Sequence, residues 1–386
     1  FEQPSASSWT LNRVTGPDPS VIAGRVQANG GVALVNPSGV LFAQGSQVDV
    51  GSLIATPSDI TNQDFMAGRM RFQGAPRPGA RIENQGEITV ADRGLVALAG
   101  PRAANSGTIR ARMGRVAMAG GAEGVTVDLA GDGLLALDVT RSTRQAAGGV
   151  ALLTNSGVVD ASGGSVALTA HAASGLVEDL VHHTGSATAS RVAIRAEGGN
   201  AVLAGTLAAR STTGAASVEA TARGGAVRVA APANVSAEAA TTARVQLGGA
   251  TTRRVQVDGQ VAARGANGQR GGRIAAQASD SVALGAGARL DASAPAGGGE
   301  VLVGTTGQGR AQAMARTTTI AAGAAIAADA TAQGHGGTVL VNSTELTEMR
   351  GTISARGAGP GGDGGFAEIS GQGRLVLPDL AAQVDL

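Results

Sequence analysis

The sequence predicts an all-β protein built as a right-handed parallel β-helix, a solenoid, and three observations carry that prediction. Short strands of strict alternation recur through the 386 residues, Gly or Asn corners punctuate them at irregular intervals, and the apolar residues available for a core are small. Gly numbers 61, Tyr and Cys are absent, Trp9 is the single Trp and aromatics make up 2%, yet hydrophobic residues reach 43%. An interior built from Ala, Val, Ile and Leu has to be narrow.

Taken in chain order, the clearest repeat is NQGEITVADRGLVALAG from Asn84 and NSGTIRARMGRVAMAGG from Asn105, whose starts are 21 residues apart. NSGVVDASGGSVALTA from Asn155 repeats the formula. Each unit is an Asn-x-Gly turn, an alternating strand, a Gly corner and a second strand. Between Arg191 and Gly249 the pattern is less punctuated, as in RVAIRAEGGNAVLAG and GGAVRVAA. Longer units then begin at Gly259, Gly287, Gly323 and Gly351, with spacings of 28, 36 and 28. No amphipathic helix interrupts the series. Propeller blades keep a length of roughly 40 to 50 residues and carry aromatic signatures, whereas solenoid coils tolerate corner insertions, so the irregular unit selects the solenoid. Stacked coils satisfy each other's backbone at about 4.8 Å, which for 20 to 28 residues per coil gives about 14 to 19 coils and a rod of about 70 to 90 Å. Val96, Leu98, Val116 and Met118 are expected to point inward as ladders, with Gly corners supplying turns of positive φ.

Composition also excludes whole classes. The apolar fraction is too high for disorder, and Gly follows no triplet period as in collagen. Thirty basic residues, all Arg, against 29 acidic ones give a net charge of +1 without clustering, so no nucleic-acid footprint exists. No run approaches 18 apolar residues, so no membrane span is expected. The lack of Cys removes any disulfide framework.

Against this background NPSGVLFAQGSQVDVGSLIATPSDI, from Asn36 to Ile60, stands out. With FEQPSASSWTLNRVTG before it, the anchor Asn36, Pro37, Ser38, Gly39, Val40, Leu41 and Phe42 resembles the secretion domain of the filamentous haemagglutinin family, exoproteins of two-partner secretion in Gram-negative bacteria. The likeness extends weakly along the later Asn-x-Gly repeats, which resemble that family's β-helical shaft. It implies an extracellular or cell-surface β-helix, and export through an outer-membrane β-barrel transporter that recognises the secretion domain, with residues 36–42 as its secretion motif. A chain threading such a pore stays unfolded in an oxidising periplasm, which agrees with the absence of Cys. Two departures are visible. Ser38 stands where the family usually writes a second Asn, and Ser also serves turns. The several dozen residues that normally precede the Phe1 position, including a cap, are not in this sequence. Residues 1–130 are thus expected as a secretion-domain-like β-helix lacking its N-terminal cap, and residues 131–386 as a continuing Gly/Ala-rich shaft. Asn-Pro-Ser-Gly also reads simply as a type I turn aligning the first coils.

Candidate chemistry is sparse. Asp160, Asp179, Asp258, Asp280 and Asp291 are the residue type used by β-helical polysaccharide lyases and hydrolases, but they occur singly, so solvated corners are the expectation. His182 and His183, near Glu178 and Asp179, would face opposite ways on a strand, so a polar loop is expected rather than a metal site, with a short helical turn at Gly175–Leu180. GDGLLALD from Gly131 lacks the ligand spacing of a Ca²⁺ loop and reads as a tight turn before a buried strand. ARGANGQRGG precedes no helix, which rejects nucleotide binding. With one Trp and no Tyr, aromatic stacking platforms are nearly absent. The sequence therefore points to a secreted structural or adhesive rod: a surface adhesin, a matrix component or a filament subunit. Expected partners are the transporter, further copies stacked head to tail and a cell-surface or glycan receptor; no cofactor and no catalysis are expected. The alternative is a β-helical enzyme acting on extracellular polysaccharide, and a stalk delivering a C-terminal effector is a third possibility.

Overall fold

The computed structural model describes residues 1–129, 137–142, 150–173, 178–266, 268–307 and 314–386. It contains two compact units, Phe1–Gly199 and Asn200–Leu386. Each is the right-handed parallel β-helix that the sequence predicts.

In the first unit each coil contributes three strands. The first face stacks Ser20–Ile22, Val40–Phe42, Ile82–Asn84, Ala103–Asn105, Leu153–Asn155 and Asp179–His183, all parallel. The second runs from Arg25–Gln27 through Gln47–Val50, Glu87–Val90 and Thr108–Arg110 to the start of Val158–His171. The third holds Trp9–Arg13, Gly31–Val35, Ser52–Thr56, Leu95–Ala99 and Arg115–Gly120, followed by the latter half of Val158–His171. Val96, Leu98, Val116 and Met118 are inward and buried, in register with Val166 and Leu168 of the next coil. Identical apolar rows meet at every step, so each coil completes the core of its neighbour.

Glycine serves a second purpose besides positive φ. A Cβ on Gly107 would lie 2.1 Å from the Gly86 carbonyl oxygen, and Gly157 and Gly185 repeat that 2.1 Å approach one coil further on. These corners need the absence of a side chain because successive coils pass almost in contact, which is why the Asn-x-Gly formula recurs.

Two insertions depart from the expected rod and from the expectation of no helix. Between Thr56 and Ile82 the chain forms a five-residue helix, Asn62–Met66, capped by the Thr61 hydroxyl, and a strand, Met70–Phe72. After Gly120, strands Ala122–Val127 and Leu137–Ser142 join Met70–Phe72 in a three-stranded antiparallel sheet. That sheet covers the outward side of the third face, where Ala33, Ile54, Ala97, Ala99, Ala117 and Ala119 pack with Phe72 and Val125. The outward positions are mostly Ala because a second layer has to sit on them.

The second unit repeats the three-strand coil. Its first face runs Asn200–Leu203, Ala226–Val229, Arg254–Val257, Ser281–Leu284, Thr317–Ile320, Leu346–Met349 and Arg374–Val376. The Gly starts at 259, 287, 323 and 351 lie one or two residues ahead of strands Gln260–Gly265, Arg289–Asp291, Ala325–Ala327 and Thr352–Ser354. The repeat seen in sequence is thus a corner followed by the second-face strand. Val235, Val261, Leu290, Ile326 and Ile353 form one continuous inward row, all buried. A second short helix, Leu380–Gln383, leads into the strand Val384–Asp385, which pairs with Thr352–Ser354. Among the described residues, six first-face strands in the first unit and seven in the second are fewer than the fourteen to nineteen coils expected, because insertions lengthen several turns.

Candidate functional site

The segment Asn36–Phe42 forms the corner into the first face. The Gly39 amide donates to the Asn36 carbonyl at 2.8 Å, closing a four-residue turn, and the Ser38 amide donates to Asn36 Oδ1 at 2.9 Å. Asn36 is fully buried, and its Nδ2 donates backwards to the Asp18 carbonyl at 3.0 Å and the Ser20 hydroxyl at 2.8 Å. One amide therefore closes its own turn and ties it to the preceding coil, a combination that needs both a donor and an acceptor. Asp would lack the donors and Ser the reach.

Gly39 holds φ at +105°, and a Cβ there would stand 2.5 Å from the Arg81 carbonyl oxygen. That close approach lets the Val40 amide donate to the same oxygen at 3.0 Å, while the Gly39 carbonyl accepts from Ser20 at 3.0 Å. Val40 and Phe42 then point inward and are buried, with Leu41 half-buried on the outer side. Ser38 donates to the Pro17 carbonyl at 2.6 Å and accepts from Arg77 Nη1 at 2.8 Å.

Phe42 stands in register with Asn84, the first rung of a buried amide ladder. Asn84 Nδ2 donates to Asn105 Oδ1 at 2.7 Å, Asn105 Nδ2 to Asn155 Oδ1 at 2.8 Å, and Asn155 Nδ2 to His183 Nδ1 at 3.1 Å. All four side chains are buried to within 1%. Sequence reasoning read these Asn residues as turn formers and missed the ladder. Its signal was the Asn-x-Gly recurrence itself, which continues as His-Thr-Gly at His183. The His182–His183 pair accordingly lies on the strand Asp179–His183, not in a loop, with His183 inside and His182 exposed. The helical turn expected at Gly175–Leu180 is replaced at Asp179 and Leu180 by that strand; residues 174–177 lie outside the described residues, as do 131–136 of GDGLLALD.

The five Asp candidates are not brought together. Asp160 accepts from the Ser162 amide and hydroxyl, at 3.0 and 2.6 Å, and Asp179 begins its strand. In the second unit Asp258 accepts from Gln256 at 2.8 Å, and Asp280 sits between Arg254 at 3.5 Å and Arg316 at 3.3 Å. Asp291 takes hydrogen bonds from Arg264 and from the Ser293 amide. Burial pushes the Asp291 carboxyl up, but the bonds from Arg264 and Ser293 outweigh it and leave the group below the usual range. Arg316 lowers Glu345 likewise, and Arg69 lowers Asp64. A general acid needs the opposite shift. Among the described residues no three His, Asp or Glu side chains form a metal-binding group. No helix among them is long and apolar enough to cross a membrane. ARGANGQRGG begins as the end of strand Gln260–Gly265 and runs on to strand Arg273–Gln277, with residue 267 outside the described set.

Comparison with known proteins places this geometry in context. The family model "TPS secretion domain" matches residues 1–222. A heme/hemopexin-binding protein of Haemophilus influenzae strain Rd is 33% identical over 117 residues, 29% of this chain and 13% of that protein. A second heme/hemopexin-binding protein of Haemophilus influenzae is 45% identical over 60 residues, 16% of this chain and 6% of its own length. The chain thus spans only a small part of these curated relatives. The crystal structure of the HMW1 secretion domain from Haemophilus influenzae superposes with a TM-score of 0.56 at 23% identity, covering 98% of this chain and 85% of that one. At that identity the likeness concerns the fold.

Proposed function

Because this chain belongs to the TPS secretion domain family, we propose that it is an exoprotein of two-partner secretion whose Asn36–Phe42 corner is the feature an outer-membrane transporter recognises. The observation that carries the reading is the family match over residues 1–222, within which residues 36–42 are the distinct Asn-Pro turn that the folded chain holds through the buried Asn36 side chain. Residues 1–130 carry the recognition determinants in this reading, and residues 131–386 act as shaft.

After export the chain works as a structural or adhesive solenoid at the surface of a Gram-negative bacterium, as adhesin, matrix component or filament subunit. Support comes from repeats that continue through the second unit and from carboxylates spent on Arg or Ser partners. Self-stacking and binding to a cell-surface or glycan receptor belong to the same proposal. The stretch shared with the two Haemophilus relatives is a minor part of each.

The test is co-expression with a transporter of this class. Wild-type chain should reach the medium only when the transporter is present, and a chain with residues 36–42 replaced by Gly-Ser should stay in the periplasm. Equal export of the replaced chain would refute the assignment. Incubating the exported chain with pectins, alginates and bacterial exopolysaccharides tests the enzymatic alternative, which predicts depolymerisation.

A further inference from the structure

The second face of the unit Asn200–Leu386 carries a trough on its outer side. Outward positions of its strands stack in three columns: Asn234, Gln260 and Arg289 form one, Ser236, Ala262, Asp291 and Ala327 the middle one, and Arg210, Glu238 and Arg264 the other. Ser236, Ala262 and Ala327 are short, so the long side chains on either side stand as the walls of a depression of about 470 Å³. It crosses five strands, from Thr206–Ser211 to Ala325–Ala327. At 4.8 Å per step that is a run of about 19 Å along the stack. A repeating floor of this kind meets the successive units of a linear polymer in equivalent surroundings.

The charges in the trough do not cancel. Arg210 faces Glu238 at 4.0 Å and Arg264 pairs with Asp291 at 2.5 Å, while Arg289 has no carboxylate partner among the described residues. Arg289 Nη1 donates to the Ala288 and Gly323 carbonyls at 2.9 and 2.6 Å, which fixes the guanidinium at the coil edge. Its Nε and Nη2 make no hydrogen bond among the described residues. Those two groups form one edge of a planar fork, the geometry that takes a carboxylate or a sulfate through two parallel hydrogen bonds. In the same column Asn234 and Gln260 stand in register on adjacent coils, both exposed, and neither side-chain amide bonds to another described residue. Each offers donors and an acceptor, which is what a row of sugar hydroxyls takes up. No aromatic ring lines the trough, so affinity has to come from hydrogen bonds and charge.

We propose that this trough binds a linear acidic polysaccharide, with the acid group of one sugar on the Nε and Nη2 edge of Arg289 and the hydroxyls of its neighbours on Gln260 and Asn234. The inference rests on the adhesive reading of the exported chain and deepens it. It makes no use of the export corner, because the trough exists only once the coils have folded outside the cell. A neutral glycan leaves the Arg289 edge unused, so charge complementarity does the selecting.

The test measures binding of the purified full chain to polygalacturonate, dextran sulfate and uncharged dextran at low and high salt. At least one acidic polymer should bind about tenfold or more tightly than dextran, and more weakly as salt rises. Which of the two binds better tells whether the acid group is a carboxylate or a sulfate. Arg289→Ala should weaken that binding about tenfold and flatten its salt dependence. Ala262→Leu fills the floor without changing charge and should weaken it by about as much. Arg112→Ala removes the same charge from an exposed pair with Asp92 in the other unit, and should bind as wild type does. Thermal midpoints should match in all three variants. Dextran bound as tightly as the acidic polymers, or an equal loss with Arg112→Ala, would overturn the proposal. Undiminished binding by both Arg289→Ala and Ala262→Leu would overturn the trough and leave glycan adhesion standing. No binding of any polymer by the wild-type chain would overturn the trough together with the glycan-adhesive reading beneath it.

Discussion

Replacing Asn105 by Ala removes the central rung of the buried amide ladder. Asn105 accepts from Asn84 and donates to Asn155, at 2.7 and 2.8 Å, and is 1% exposed. The truncation leaves the Asn155 Oδ1 without its donor and the Asn84 Nδ2 with only long contacts to the Gly86 and Thr108 carbonyls, at 3.4 and 3.5 Å, inside a narrow core. An orphaned buried polar group costs about 1–3 kcal/mol, so two give at most roughly 2–6 kcal/mol, before any cavity contribution. Set against a typical domain stability of about 5–15 kcal/mol, that is a large fraction. Asn105→Asp should cost more, because a carboxylate would face the Asn155 oxygen without a proton to offer and would carry charge into the interior. The assay is native-state hydrogen exchange of the amides at Ser106, Gly107 and Thr108, which bond to the Asn84 and Gly86 carbonyls. At 1.4 kcal/mol per tenfold, protection should fall by about 30- to 20,000-fold. A change below about threefold in the Ala variant would show that the ladder contributes nothing and would refute the reasoning.

Gly39→Ala must place a Cβ at φ +105° against the Arg81 carbonyl; a loss of about 2–4 kcal/mol is expected, read as faster exchange at Val40, and wild-type protection there would contradict it. Met113 holds φ at +53° on a 44% exposed side chain, so Met113→Gly should raise the urea midpoint by an amount equivalent to about 0.5–1 kcal/mol. Asp291 has a folded pKa below its ordinary value, so its contribution is present above that ordinary value, about 4, and is lost as pH falls through the folded one. Urea midpoints between pH 7 and pH 2 should therefore fall less steeply below pH 4 in Asp291→Asn than in wild type.

Legibility in the sequence followed the locality of the physics. Stacked coils impose the same environment at each step, so Val96, Leu98, Val116 and Met118 could be assigned inward from alternation alone. Ala97 and Ala117, one position away, carry no such signal. They look like solvent-facing small residues, and only the pairing of Met70–Phe72 with Ala122–Val127, distant in sequence, reveals them as the floor of a second layer. The same reason hid Arg77, whose partners lie on two other stretches of chain. At the corner, the turn was readable from Asn-Pro-Ser-Gly, but the backward reach of Asn36 to Asp18 and Ser20 depends on coil register. His183 was misplaced in a loop because its ladder position follows from the shape of the repeat, with imidazole nitrogen taking over the role of an amide oxygen.

The central claim is that the Asn36 corner is read by a transporter, beyond its part in holding coils together. Asn36 and Asn105 are both buried amides beside the first face, each bonding to a neighbouring coil. The direct measurement is therefore transporter-dependent export of Asn36→Ala and Asn105→Ala side by side, scored as the fraction of full-length chain in the medium. Recognition predicts at least a tenfold loss for Asn36→Ala and export above about half of wild type for Asn105→Ala. Equal losses in both, or undiminished export of Asn36→Ala, would contradict it.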